Sequence, residues 1–197
     1  MVDQIIQEIE RCGYSITPAL IQPDQLKIIN QYYADQRLNF KPAKIAGGEH
    51  ALREDTIRGD YSLWINPLEP EPAFTPVINF LEELRQSFNS HFYLGLKEFE
   101  CHIAYYPVGT FYKKHSDTPA KASTRVVSFI FYLNEEWNEN DGGELVIYDK
   151  KGNILESVLP KPGTFVCFLS GEFPHEVKSA NKERRSFTGW MHTKIIY

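Results

Sequence analysis

Cysteine is scarce in this chain: Cys12, Cys101 and Cys167 are the three present, odd in number and widely spaced. That excludes a disulfide-built framework and a zinc knuckle, and it points to a reducing compartment, the cytoplasm. Long apolar runs are missing too, since none approaches the roughly 20 residues needed to span a bilayer. The N-terminus, Met1-Val2-Asp3-Gln4, lacks the basic-then-apolar order of an export signal. A protein with no membrane partner is therefore expected. Positive charge is short as well. The formal net charge is -5 at pH 7, against the basic face that a phosphate backbone requires, so no nucleic-acid partner is expected. The basic cluster of Lys178, Lys182, Arg184 and Arg185 is local. Internal repeats and low-complexity stretches are absent.

What is plentiful is aromatic: 11 Tyr and 13 Phe in 197 residues, which suits the pleated, half-buried surfaces of a β-rich body. The length is that of one domain with a substantial core, expected as a monomer. Residues 2–11 set Val2, Ile5, Ile6 and Ile9 on one helical face, ending near Gly13. A strand is predicted over 14–21, and Asp24 is placed to cap a second helix reaching about Arg37. The polar stretch from Lys41 to Asp60, with its Gly-Gly pair, reads as a long loop, of a length that inside a compact domain is commonly functional or disordered. Tyr61 to Ile65 reads as a strand. After a proline-punctuated turn, a third helix carries Val77, Leu81, Leu84 and Phe88 on one face.

From residue 98 the period changes from helical to strand-like. The runs are 98–106, 110–115, 124–133, 144–149, 153–159, 163–169, 173–178 and 184–193, separated by Gly- and Pro-containing turns. Eight short strands at this spacing fit a jelly roll or small barrel. The expected fold is α+β, a double-stranded β-helix of the jelly-roll, cupin-like kind, with the N-terminal helices packed on the outer face of one sheet.

Within that frame, His115-Ser116-Asp117 sets two ligand-type side chains at i and i+2, on one face of a strand end. A second histidine, His175, lies in another strand-like run. Two His and one carboxylate, with other positions open, is the facial triad of non-haem iron(II) oxygenases. Glu176 and His192 are ligands on residue type alone, although Glu176 follows a ligand and should face away. Arg184 shares a strand face with Ser186, Thr188 and Trp190, where a guanidinium can hold a carboxylate in a bidentate pair. Arg185 points oppositely and is expected to be exposed. Tyr132 needs a partner for its hydroxyl when buried, and the same carboxylate can supply it.

Taken together, Ile57-Arg58-Gly59-Asp60 with Trp64, Tyr106-Pro107, His115-Ser116-Asp117, Tyr132-Leu133-Asn134 with Trp137, Gly142-Gly143-Glu144-Leu145, Pro174-His175-Glu176-Val177 and Arg184 through Trp190 resemble the prolyl 4-hydroxylase family of 2-oxoglutarate oxygenases. The likeness is nearest to the EGL-nine-type enzymes acting on hypoxia-inducible factor and to their bacterial relatives, and it runs from about residue 5 to residue 193. It implies a dioxygenase using Fe(II), 2-oxoglutarate and O2, with ascorbate as a reductant, that hydroxylates a prolyl residue in a protein or peptide and releases succinate and CO2. His115, Asp117 and His175 would ligate iron. Arg184, helped by Tyr132, Tyr106 and Thr188, would bind 2-oxoglutarate. Arg58, Asp60, Trp64, Arg125 and Trp190 would meet the substrate; His102 is a departure from the family pattern, on the strand face of Tyr106, from which it could protrude into the pocket. One domain, 1–197, is implied, with 1–96 as helical support and substrate loop and 97–197 as the β core. The bacterial relatives point to a translation factor such as elongation factor Tu as the partner. Two rivals stand beside this reading: the same machinery acting on a free amino acid or small molecule, and a non-enzymatic jelly-roll module holding a structural metal.

Overall fold

The computed structural model describes residues 1–44, 54–118 and 124–196. The Gly-Gly pair expected in the long loop, and part of the segment between Asp117 and Arg125, lie outside the described residues. Three helices come first: α1 (Val2–Cys12), α2 (Pro23–Asp35) and α3 (Thr75–Phe92). Gly13 ends α1 in the left-handed region, at φ 80°, with its N–H on the Ile9 carbonyl. That conformation costs a glycine little. At the start of α2 the expectation is corrected. Gln22 is the capping residue and Pro23 the first helical one, so Asp24 sits inside the first turn, where its charge favours the positive end of the helix dipole.

The strands are β1 (Tyr14–Thr17), β2 (Lys41–Pro42), β3 (Tyr61–Ile65), β4 (Glu98–Tyr106), β5 (Tyr112–His115), β6 (Arg125–Tyr132), β7 (Leu145–Tyr148), β8 (Ile154–Val158), β9 (Phe165–Leu169), β10 (His175–Val177) and β11 (Arg184–His192). Each of the eight expected runs from residue 98 contains one of them. The strand expected over 14–21 is shorter, because the chain turns after Thr17, with Ala19 at φ 49°. All the pairings are antiparallel. One sheet has seven strands in the order β1-β9-β6-β11-β4-β3-β2, and the other has four in the order β5-β10-β7-β8. This is the jelly-roll arrangement.

Alternation along four strands of the larger sheet divides its two faces. Phe99, Cys101, Ile103, Tyr105, Val127, Phe129, Phe131, Phe165, Cys167, Phe187 and Met191 join Ile5, Ile9, Leu26, Ile29, Phe74, Leu81 and Phe88 of the helical layer in one core. The intervening residues Ala104, Tyr106, Ile130, Tyr132, Val166 and Phe168 face the smaller sheet and meet its Leu145, Ile147, Val158 and Val177. So the helices cover one face and the site uses the other. β11 and β4 approach closely at Gly189, where a Cβ would fall 1.9 Å from the Glu100 carbonyl oxygen.

Arg185 corrects a second expectation. It lies on the face opposite Arg184 but is only half-exposed, donating from Nη1 to Asn30 Oδ1 at 3.0 Å and so tying β11 to α2.

All three cysteines are free thiols. Burial pushes the Cys101 and Cys167 thiols well up from their ordinary value, whereas Cys12 is half-exposed at the end of α1. A disulfide-exchange reagent should therefore label one thiol per native chain quickly and all three only after denaturation. Fast labelling of a second thiol in the native protein would contradict this packing.

Candidate metal centre and anion pocket

His115 closes β5 and His175 opens β10, and the register of those two strands sets the histidines opposite each other. Asp117 follows just past β5. One ligand atom from each of the three lies within 4.8 Å of the others. His115 Nε2 stands 3.7 Å from Asp117 Oδ1, and His175 Nε2 stands 3.6 Å from Oδ2. The other ring nitrogens are committed: Nδ1 of His115 to the Lys113 carbonyl at 2.8 Å, and Nδ1 of His175 to the Phe173 carbonyl at 3.0 Å. A carbonyl only accepts, so each Nδ1 carries the proton and each Nε2 presents a lone pair to the common point.

Burial, with His175 alongside, pushes the His115 imidazole well down from its ordinary value, favouring the neutral form. Burial acts to raise the Asp117 carboxyl, but His175, His115, the Ser128 hydroxyl and the Trp190 indole outweigh it and hold the group below the usual carboxylate range. Ser128 Oγ donates to Asp117 Oδ2 at 2.6 Å and is itself 2.8 Å from Ser170 Oγ. Tyr112 stacks on His115, with ring centroids 3.6 Å apart. Two neutral nitrogens and one carboxylate, supplied from one side, fit a divalent first-row metal with open positions opposite.

Beyond the triad, Arg184 on β11 is 2 % exposed. Its Nε donates to the Gly143 carbonyl at 2.9 Å, and its guanidinium carbon lies 5.1 Å and 5.0 Å from the ring centroids of Tyr106 and Tyr132. Among the described residues, Arg184 has no carboxylate partner within salt-bridge distance, and the buried Tyr132 hydroxyl has no hydrogen-bond partner of good geometry. A buried cation beside an orphaned hydroxyl is costly unless an anion joins them. The chemistry of this cradle is that of a carboxylate site. Thr188, expected to assist, spends its hydroxyl proton on the Phe129 carbonyl at 2.9 Å.

The residues expected near a substrate are built, not loose. Arg58 and Asp60 form a bidentate pair, at 2.8 Å and 2.6 Å, with Asp60 fully buried and the guanidinium 4.2 Å from the Tyr112 ring centroid. Arg125 bonds Glu100 at 2.7 Å and lies 3.6 Å over the Trp190 ring. Trp64 is 54 % exposed. Neither of the other ligands considered on residue type joins the cluster. Glu176 accepts from Tyr148 and pairs with Lys178, and His192 engages Glu100 and Thr124. Sequence reasoning missed Ser128, Ser170 and Tyr112. Ser128 was findable, because it shares a strand face with Tyr132 four residues on.

Residues 101–192 match the family described as the 2OG-Fe(II) oxygenase superfamily. The structure resembles a Pseudomonas putida prolyl-4-hydroxylase with a TM-score of 0.87 at 34% identity, covering 99% of this chain and 100% of that one. A Trichoplax adhaerens prolyl hydroxylase, solved with a peptide fragment of the hypoxia inducible factor oxygen degradation domain, has a TM-score of 0.86 at 24% identity over 98% of this chain and 89% of that one, a likeness of fold. Human Egl nine homolog 1 is 31% identical over 142 residues, 68% of this chain and 33% of its own length. The chain thus spans about a third of the length of the curated relatives it matches first. It belongs to the 2OG-Fe(II) oxygenases and, within them, to the prolyl hydroxylase family. That family's cofactors are Fe(II), 2-oxoglutarate and O2, and the His-Asp-His set fits the metal.

Anaerobic titration of the Fe(II)-loaded protein with 2-oxoglutarate should develop a visible charge-transfer band. His175→Ala should abolish it. Arg184→Ala should weaken cosubstrate affinity by about 30-fold or more, since one half of a buried charge pair is lost. Ser128→Ala should lower Fe(II) affinity about 10- to 100-fold by freeing the Asp117 carboxylate. An unchanged titration in Arg184→Ala would refute the assignment of the anion cradle.

Proposed function

We propose that this chain is an Fe(II)- and 2-oxoglutarate-dependent dioxygenase that hydroxylates a prolyl residue of a protein or peptide, with release of succinate and CO2. The observation that carries the reading is a His-Asp-His set in the same domain as a buried guanidinium that lies beside the Tyr132 ring and has no carboxylate partner among the described residues. A structural-metal module has no use for that guanidinium, which argues against the non-enzymatic reading. When bound, Fe(II) with 2-oxoglutarate supplies the activation of O2 and the oxidising power for C–H hydroxylation, with ascorbate as external reductant.

The chain's own residues do the rest. His115 and His175 hold the metal through Nε2, and Asp117, fixed by Ser128, adds the anionic ligand. Arg184 and Tyr132 grip the far carboxylate of 2-oxoglutarate, and the Tyr106 ring walls it from solvent. Thr188, on the same face, has its hydroxyl proton on the Phe129 carbonyl and would have to release it to donate to that carboxylate. Arg58 with Asp60, Trp64, Arg125 and Trp190 line the approach of the prolyl residue. The tight pairing of Arg58, Asp60, Arg125 and Glu100 supports a preformed rim, and preformed rims lower the ordering cost of binding.

In this reading residues 1–197 act as one cytoplasmic, monomeric catalytic domain, with 1–96 as helical support and substrate loop and 97–197 as the β core. No helix among the described residues is long and apolar enough to cross a membrane. Elongation factor Tu is the first protein partner to test.

The test is mass spectrometry of purified elongation factor Tu, of a proteome digest and of free L-proline after incubation with enzyme, Fe(II), 2-oxoglutarate and ascorbate. A gain of one oxygen on a prolyl residue, matched by succinate and lost in His175→Ala, is expected. Oxygen gained by free proline alone would instead establish the small-molecule reading.

A further inference from the structure

Trp64 and Trp190 bracket a residue that the proposed machinery does not use. His102 sits on β4, register partner of Trp64 on β3 and of Thr188 on β11. Its ring centroid is 4.7 Å from that of Trp64 and 5.6 Å from that of Trp190. The imidazole is 4 % exposed, and its Nδ1 has no hydrogen-bond partner. Burial pushes the group down to about 4, so the ring is neutral at ordinary pH. A neutral imidazole has one donor and one acceptor nitrogen.

Leaving a buried ring nitrogen unpaired is unfavourable, and a leucine or phenylalanine would fill the same slot without that cost. His102 is also on the site face of β4, in the alternation that carries Tyr106 four residues on. Across β11, Trp190 contacts Asp117. The unpaired nitrogen is thus one side chain away from the metal set and next to the half-exposed Trp64.

Resting on the reading proposed above, we infer that His102 is a substrate-positioning residue whose Nδ1–H donates a hydrogen bond to the backbone carbonyl of the target prolyl residue. The chemistry selects this partner. A prolyl residue within a chain has no N–H to offer, but its carbonyl is an uncharged acceptor. Nδ1 is closed from solvent, so the half-exposed Trp64 turns aside as the substrate enters; the indoles then hold the pyrrolidine ring by apolar contact, and the imidazole fixes its direction. Free proline presents a charged carboxylate in the place of that carbonyl. The neutral imidazole offers no counter-charge to the ammonium of free proline, whereas the ring nitrogen of a prolyl residue is an uncharged tertiary amide, so the slot favours a residue inside a peptide. His102 is in this way a determinant of peptide over small-molecule substrates.

The test uses the full chain loaded with Mn(II) and 2-oxoglutarate, and as probes the blocked pentapeptide acetyl-Ala-Ala-Pro-Ala-Ala-amide and free L-proline. Binding is followed by the fluorescence of the tryptophans. The wild type should bind the peptide and prefer it to L-proline. His102→Phe keeps a ring in the stack and removes the donor, so peptide affinity should fall about tenfold. His102→Asn places an amide N–H near the position of Nδ1 and should restore affinity to within about threefold. The charge-transfer titration of the Fe(II) form with 2-oxoglutarate should be the same for all three proteins, which also certifies their folding. If His102→Phe does not fold, His102→Leu takes its place. Equal peptide affinity in the wild type and the Phe variant, or an Asn variant no better than Phe, would overturn the role of His102 and leave the hydroxylase reading standing. A wild type that gives the 2-oxoglutarate band but binds no prolyl peptide would overturn the peptide reading and this inference with it.

Discussion

The site depends on the two-residue alternation of β9, β6, β11 and β4. On these strands one set of side chains is almost wholly apolar and aromatic, and it is held against the three helices. The other set carries Tyr106, Tyr132, Ser128, Arg184 and Trp190. A slip of one residue in β11 would drive Arg184 into the phenylalanine layer and turn Phe187 into the pocket. Burying an unpaired guanidinium among Phe129, Phe131 and Phe165 would cost several kcal/mol. The large apolar core therefore acts as the register clamp for the site, far from any chemistry of its own.

The second sheet completes the arrangement. β10 is three residues long and paired on both sides, with β5 and with β7. That double pairing places His175 opposite His115 and leaves little freedom to either imidazole. Two backbone carbonyls, of Lys113 and Phe173, then fix which nitrogen faces the metal position. Serine hydroxyls do the same for Asp117. Backbone and hydroxyl groups thus orient all three ligands while adding no charge, which keeps the set at one negative unit for a divalent ion.

Charge around the pocket is otherwise matched locally. Asp60 answers Arg58, and Glu100 answers Arg125 while also hydrogen-bonding His192. In Arg58 the Asp60 carboxylate outweighs the burial that would lower its affinity for the proton. Against that background Arg184 stands out, because among the described residues its neighbours are a carbonyl and two tyrosines rather than a carboxylate. The contrast separates rim cations that shape the approach from one cation kept for an anionic ligand.

Much of this was legible from residue order. The change of period at residue 98, the Gly- and Pro-marked turns, and the pairing of His115 with Asp117 are local features, and each of the later strands falls inside its expected run. Residue type and alternation were enough to put Arg184 and Thr188 on one face. Chain order could not show that Thr188 gives its proton to Phe129, that Arg185 reaches Asn30, or that Glu176 and His192 turn to partners of their own. Those outcomes depend on which strands are neighbours, and antiparallel pairing is chosen by the whole core rather than by any one segment. By itself, then, the sequence determined the strands, their two faces and the ligand types. Tertiary structure decided which distant residues meet, because only the packing of two sheets and a helical layer sets β5 beside β10, buries Arg184 away from any carboxylate, and leaves Tyr132 and His102 with polar atoms to spare.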